Sequence, residues 1–184
     1  MTKTIQNGLE SGLLEVQTER LRLRVPNEGD AADLTRLLDD WNVAKWLARV
    51  PHPYQLADAY AFIEYSRAKE PSEYDRNFIV VLGSELIGGV GLTGETAGVL
   101  ELGYWIAREH WGCGYATEAA AGLIGYAETT PGCARLEANY QKDNLASARV
   151  LRKLGFRVCG EKSIFSLARN RDVSSNCVFL DLKY

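Results

Sequence analysis

The feature that most constrains this chain is a change of hydrophobic period near its middle. From Asp30 to Lys69 the apolar residues recur at helical spacing, whereas from Phe78 to Ala107 they gather into short runs separated by turn residues. Ala31, Leu34, Leu37 and Leu38 share one helical face behind Asp30, a residue suited to an N-cap. Val43, Ala44, Trp46 and Leu47 make a second helical stretch that stops before Pro51-His52-Pro53. A third, from about Gln55 to Lys69, sets Ala59, Phe62, Ile63 and Ala68 on one side. The runs Phe78–Leu82, Leu86–Leu92 and Val99–Ala107 then read as consecutive antiparallel strands joined through Gly83-Ser84 and Thr93-Gly94-Glu95. Such a meander is incompatible with a doubly wound parallel sheet, in which a crossover separates each strand from the next.

The flanks complete the pattern. Leu21, Leu23 and Val25 alternate with Arg20, Arg22 and Arg24, a half-buried strand closed by Pro26. After Gly112-Cys113-Gly114 a helix carries Ala116, Ala119, Ala120, Leu123, Ile124 and Ala127 on its buried face and ends at Pro131-Gly132. Arg135–Tyr140 reads as a strand, Asn144–Leu154 as a helix stopped by Gly155, and Phe156–Cys159 and Cys177–Leu182 as closing strands. The predicted fold is α/β (α+β): a single layer of mixed, mostly antiparallel twisted sheet flanked by helices. Residues 18–184 are expected to form one domain, with residues 1–17, polar and Gly-containing, a flexible tail.

With 184 residues the chain can bury an adequate core without disulfide or metal staples. A formal net charge of −3 argues against wrapping a polyanion such as nucleic acid. No apolar run is long enough to span a bilayer, and residues 1–19 lack the basic and apolar regions of a secretory signal. Cys113, Cys133, Cys159 and Cys177 are widely separated and accompanied by only two histidines, which denies zinc its usual ligand spacing. These features predict a cytoplasmic protein with reduced thiols, no metal, and neither nucleic-acid nor membrane partners.

Two glycine clusters compete for a phosphate-binding role. Gly89-Val90-Gly91-Leu92-Thr93-Gly94 fits G-x-G-x-x-G by letter, but a turn and a strand follow it where a dinucleotide site needs a helix. Trp111-Gly112-Cys113-Gly114-Tyr115-Ala116 does stand between a strand and a strong helix. Its small residues let backbone approach a ligand, and the first-turn N–H groups would face an anion with help from the helix dipole and from Arg108. A plain tight turn would carry the same letters.

The surroundings of this loop discriminate. Thr18-Glu19-Arg20-Leu21-Arg22-Leu23-Arg24 resembles the opening strand of RimJ/RimL-type enzymes in the GNAT N-acetyltransferase superfamily. Glu101-Leu102-Gly103-Tyr104-Trp105, followed by Trp111 through Ala119, resembles the acetyl-CoA segment of that branch. Asn144-Leu145-Ala146-Ser147 with Lys153-Leu154-Gly155-Phe156 is similar to its second cofactor segment. The resemblance runs from about Thr18 to the last strand. Two positions depart from the superfamily: Trp111 stands where Gln or Arg is usual, and Leu151 replaces the tyrosine that often serves as general acid.

The resemblance implies acetyl transfer from acetyl-CoA to an amine. That chemistry requires loss of an amine proton, stabilisation of a developing oxyanion and stabilisation of the departing sulfur. An α-amine of pKa near 7.8 costs about 1 kcal/mol to neutralise at pH 7, against about 4.6 kcal/mol for a lysine near 10.4. A modest base therefore suffices for a protein N-terminus. Glu101 and Glu137 interrupt apolar strands beside the cofactor helix and match positions of catalytic glutamates in relatives, with Glu101 ahead; either would also pass as an exposed strand carboxylate. With Leu151 unable to donate, Ser147 is the expected partner of the thiolate, although it would equally serve as a helix N-terminal hydroxyl.

By the same resemblance, Trp105, Ile106 and Ala107 would border the pantetheine, Arg108 would add a positive charge near the anion and Trp111 would pack beside the cofactor. Gly112, Cys113, Gly114, Tyr115, Ala116 and Thr117 would hold the diphosphate, and Asn144 would reach the pantetheine or adjacent groups. Trp41, Trp46, Tyr54 and Tyr104 fall on the acceptor side; on composition alone the tryptophans are ordinary core residues. The acceptor expected is a protein N-terminus, ribosomal proteins among the candidates, with a small amine as alternative and a non-catalytic CoA-binding sensor as the rival from another class. The expected state is a monomer or homodimer.

Overall fold

The computed structural model describes residues 14–68, 75–96 and 98–182. One sheet holds eight strands in the order β1-β2-β3-β4-β5-β6-β8-β7. These are β1 (Glu15–Gln17), β2 (Leu21–Arg24), β3 (Arg76–Leu82), β4 (Glu85–Thr96), β5 (Val99–Ile106), β6 (Arg135–Gln141), β7 (Arg157–Ser166) and β8 (Arg171–Asp181). Between β2 and β3 lie α1 (Ala31–Leu38), α2 (Trp41–Ala44) and α3 (Leu56–Arg67); α4 (Tyr115–Glu128) joins β5 to β6, and α5 (Leu145–Lys153) joins β6 to β7. Of the seven pairings described, only β5–β6 is parallel, so the predicted mixed, mostly antiparallel sheet flanked by helices is the sheet that forms.

The sheet is covered on both faces, which explains the unbroken apolar run at Phe78–Leu82. Phe78 and Val80 join the core under α4, together with Leu21, Leu23, Leu100, Leu102, Ala119, Ala120 and Leu123. Ile79 and Val81, one residue out of phase, join Leu34, Leu37 and Ile63 under α1 and α3. Burying a Leu, Ile or Phe side chain fully is worth about 1.5–3 kcal/mol, so strands covered on both faces supply much of the favourable burial.

Local details differ from the sequence expectation in instructive ways. Asp30 makes no side-chain cap on α1. Its carboxylate accepts from the Asn27 N–H at 2.7 Å and takes both arms of the Arg24 guanidinium at 2.7 and 2.8 Å, while Asn27 caps the preceding turn. A nearly buried carboxylate is better satisfied by a bidentate cation than by a helix N–H. Ala68 is exposed rather than packed. Residues 15–17, inside the segment expected to be a tail, pair with β2 through Val16↔Leu23; residues 1–13 of that segment lie outside the described residues. The closing strands are far longer than Phe156–Cys159 and Cys177–Leu182. Most of β7 is exposed, so no hydrophobic alternation marks it.

The G-x-G letters of β4 serve packing, not phosphate. A Cβ on Gly89 would lie 2.5 Å from Trp105 Nε1 and one on Gly91 2.7 Å from Asn77 Oδ1, while one on the preceding Gly88 would lie 2.3 Å from the Trp105 carbonyl oxygen. Gly125 on α4 has open space around it. Gly88→Ala should therefore cost about 1–3 kcal/mol through overpacking. Gly125→Ala should be neutral or stabilise by about 0.5–1 kcal/mol through helix propensity. Thermal melts of the two variants check this, at about 2–4 °C per kcal/mol for a chain of this size.

Candidate active site

The parallel pairing of β5 with β6 lasts three residue pairs, Val99↔Arg135, Leu100↔Leu136 and Glu101↔Glu137, and then stops. Beyond it the two strands keep only their outer partners, β4 for β5 and β8 for β6. The sheet thus forks, and a cavity of about 1430 Å³ runs through the fork. On one side it is lined by Trp46, Tyr54 and Phe62 from the α1–α3 face; on the other it is lined by Tyr115, Ala116, Thr117 and residues 144–147 of the α4–α5 face. The far arm of the fork is tied to the segment after α2. The Leu167 N–H donates to the Ala48 carbonyl at 2.9 Å, and Gln141 Nε2 and Arg169 Nε both donate to the Lys45 carbonyl.

The loop leading into α4 is built to leave backbone donors free. Gly112 and Gly114 have φ of +80° and +83°, a left-handed conformation that side chains disfavour. Gly114 is the N-cap of α4 and no side chain caps the helix, so the first-turn N–H groups of Tyr115, Ala116 and Thr117 face the cavity end of the loop. The first helical bond of the turn is Glu118 N–H to the Gly114 carbonyl at 3.0 Å.

A clamp holds this loop against β2. Glu118 accepts from Thr18 Oγ1, the Arg20 N–H and Arg20 Nε, each at 2.7 Å. Arg20 Nη1 donates to the Cys113 carbonyl at 3.2 Å, and its guanidinium sits 4.5 Å from the centre of the Tyr115 ring. Burial alone would raise the Glu118 carboxyl, but the hydrogen bonds from Thr18 and Arg20 outweigh it and hold the group below its ordinary 4.5. The cation at the loop is thus Arg20, which nothing in the alternating Arg20/Arg22/Arg24 pattern singled out. Arg108, expected in that role, is exposed; like Arg20 it does not line the cavity. Glu118 did carry a signal: it is the lone acid in the first turn of an alanine-rich helix.

The other expected residues sort by position. Glu101 lines the cavity at the vertex of the fork; its carboxylate accepts from Asn139 Nδ2 at 2.8 Å, with Arg49 at 3.9 Å and Lys162 at 4.0 Å. Glu137 is exposed one strand away and does not line the cavity. Trp46, Tyr54 and Trp105 line it, whereas Trp41 does not: Trp41 is 42% exposed and packs its ring 5.2 Å from that of His52. Tyr104, expected on the acceptor side, lies instead on the α4–α5 side, where its Oη is 2.8 Å from Ser147 Oγ.

Asn144 caps α5, its side chain accepting from the Ser147 N–H at 3.1 Å. Trp111 is 46% exposed and so is no core residue; its indole N–H donates to the Ile106 carbonyl at 2.7 Å. The Ala107 N–H is likewise engaged, by the Ile87 carbonyl. Cys113 is exposed and off the cavity wall. Arg149 and Lys153, one turn apart on α5, line the cavity and were not anticipated; basic residues along a helix look like ordinary surface in sequence.

The clamp has a pH signature. Because folding lowers the Glu118 carboxyl, its stabilisation is present above about pH 4.5 and lost as pH falls through the folded value. Glu118→Gln should lower the melting temperature by about 2–4 °C at neutral pH, the scale of 1 kcal/mol for this chain length. The gap between variant and parent should close below pH 4.5, as melts across pH 3–7 would show.

Comparison with known proteins agrees with this geometry. The family described as Acetyltransferase (GNAT) domain matches residues 20–157. The uncharacterized N-acetyltransferase p20 of Bacillus licheniformis is 30% identical over 158 residues, covering 84% of this chain and 88% of that protein. Mycobacterium smegmatis RimJ in complex with CoA-disulfide superposes with a TM-score of 0.76 at 22% identity, covering 92% of this chain and 86% of that one. The Salmonella typhimurium acetyl transferase that modifies the N-terminal serine of 50S ribosomal subunit protein L7/L12 gives 0.80 at 15% identity, covering 92% and 100%. At these identities the two structures establish likeness of fold. With the family match spanning most of the chain, the forked sheet and uncapped helix belong to a member of the GNAT acetyltransferase family, an acetyl-CoA-dependent N-acetyltransferase.

Proposed function

We propose that this protein transfers the acetyl group of acetyl-CoA to the α-amine of a protein N-terminus, by direct attack in a ternary complex in the cytoplasm. The observation that carries this reading is the continuity of the cavity through the fork. Its volume of about 1430 Å³ exceeds the roughly 300–1,000 Å³ typical for one small ligand, and its wall draws residues from both faces of the sheet. Two substrates entering from opposite sides would meet at the vertex, beside Glu101, where proximity alone lowers the barrier.

In this reading the diphosphate rests on the N–H groups of residues 112–117, with Arg20, Arg149 and Lys153 as the surrounding cations. The pantetheine lies as an added strand along the edge of β5 that β6 leaves beyond Glu101, toward Trp105–Ala107, where the Ile106 carbonyl and Ala107 N–H are already engaged, and Asn144 is at hand from α5. N–H groups on that same edge are the donors available to the developing oxyanion. The amine enters past Trp46, Tyr54 and Trp105 and loses its proton to Glu101, directly or through water. Asn139 fixes one carboxylate oxygen of Glu101, with Arg49 and Lys162 at 3.9 and 4.0 Å. Ser147 faces the departing sulfur. The low cost of neutralising an α-amine suits a single carboxylate, and the Salmonella typhimurium neighbour, which acts on an N-terminal serine, supports the acceptor class.

Thiol release from acetyl-CoA should appear with α-amino peptides and exceed that with free amino acids, polyamines or lysine side chains. A preference for a small amine would replace the acceptor class, and binding of acetyl-CoA without release under any acceptor would leave a sensor module. Glu101→Gln should lower kcat/KM by about 10²- to 10⁴-fold, the usual worth of a positioned base, with acetyl-CoA affinity retained. Glu137→Gln, off the cavity wall, should leave kcat/KM within about twofold of the parent.

A further inference from the structure

The geometry points to Tyr104 as the positioning residue for Ser147: a phenol on one arm of the fork that holds the hydroxyl on the other, directing the Ser147 O–H at the sulfur that leaves the acyl group. This inference rests on the acetyl transfer proposed above and adds a second hydroxyl to it.

Tyr104 lies on β5 three residues past the last parallel pair, while Ser147 lies in the first turn of α5, beyond β6. Their hydrogen bond therefore crosses from one arm of the fork to the other, and both residues line the cavity. Tyr104 Oη stands 2.8 Å from Ser147 Oγ and 3.3 Å from the Ser147 carbonyl oxygen. A phenol has one proton to give, and the Oη–Oγ distance is the same whichever oxygen donates; in the proposed arrangement Tyr104 donates to Ser147 Oγ. Donation from Tyr104 to Ser147 Oγ leaves the serine proton free to turn into the cavity. The reverse arrangement would commit that proton to the wall.

Leu151 is 2% exposed in the core and has no O–H to offer. Tyr104 brings a phenol to the same wall from a different element. Burial, only partly offset by the hydrogen bond to Ser147, pushes its hydroxyl up to about 12, so it stays a neutral donor across the working range. A thiol near 8.5 is too weak a base to take that proton. The step therefore balances without a tyrosinate. The amine lone pair forms the C–N bond, the C–S bond breaks, and the sulfur leaves with the electron pair. The amine proton passes through Glu101 to water, and the thiolate afterwards takes a proton from water. Ser147 and Tyr104 keep their protons and contribute a polarised two-link hydrogen-bond chain that strengthens as charge grows on sulfur.

The test is a double-mutant cycle on the full chain, using thiol release with acetyl-CoA and the best peptide acceptor, and calorimetry for acetyl-CoA affinity. Tyr104→Phe should lower kcat about tenfold with acetyl-CoA affinity within about twofold, as expected for a bond that matters mainly in the transition state. Ser147→Ala should lower kcat at least as much, and adding Tyr104→Phe to it should change nothing further. In a Ser147→Thr background, which keeps a hydroxyl, Tyr104→Phe should again lower kcat. Multiplicative losses in the Ala background, or a Tyr104→Phe variant whose acetyl-CoA affinity falls while kcat holds, would overturn the inference. A parent protein that turns over normally beside an unimpaired Tyr104→Phe would also sink it and leave the acetyl transfer standing. Absence of turnover in the parent itself would remove both.

Discussion

The parting of β5 from β6 after three residue pairs is the constraint on which the rest of the site depends. Strand edges carry backbone donors and acceptors that need partners, and a domain interior is a costly place to leave them unpaired. Here the fold leaves such edges at the centre of its sheet. One is settled internally: the Trp111 indole N–H donates to the Ile106 carbonyl. The remaining free edge and the gap between the arms form a channel that a linear ligand can complete as a strand would. Bonds from Gln141, Leu167 and Arg169 to the Lys45–Ala48 segment keep the far arm from collapsing onto the near one.

Electrostatics divide the channel into two ends. At the α4 end the field is positive, from unsatisfied helix N–H groups and from Arg20, whose own position is set by Glu118. At the vertex a single carboxylate, Glu101, is held by a neutral amide and approached by two cations at a distance. Under the proposed reaction, the anionic tail of the cosubstrate and the reactive amine would take different ends of one cavity.

The sequence disclosed the scaffold well wherever periodicity or glycine carried the information. The Ala-rich face of α4, the apolar face of α1, the strand run at Phe78–Leu82 and the Gly155 stop of α5 all follow from local spacing. It was silent where burial is weak: β7 is exposed along most of its length, so its extension to Ser166 left no pattern to read. It misassigned Asp30, because a buried carboxylate is claimed by Arg24 six positions away rather than by the helix it precedes.

For the site, the strand, two glycines and strong helix around residues 112–116 were compatible with an anion site or a plain tight turn, and the family resemblance of the flanking segments is what singled the loop out. The side-chain partnerships were decided only in three dimensions. Arg20 and Glu118 are 98 residues apart, Glu101 and Asn139 are 38, and Tyr104 and Ser147 are 43. Which glutamate faces the cavity, which cation meets the loop and which hydroxyls touch depend on where a forked sheet stops pairing. Local sequence carries the propensity of each segment, while strand register and the packing of helices across the two faces determine which distant groups come within hydrogen-bond reach.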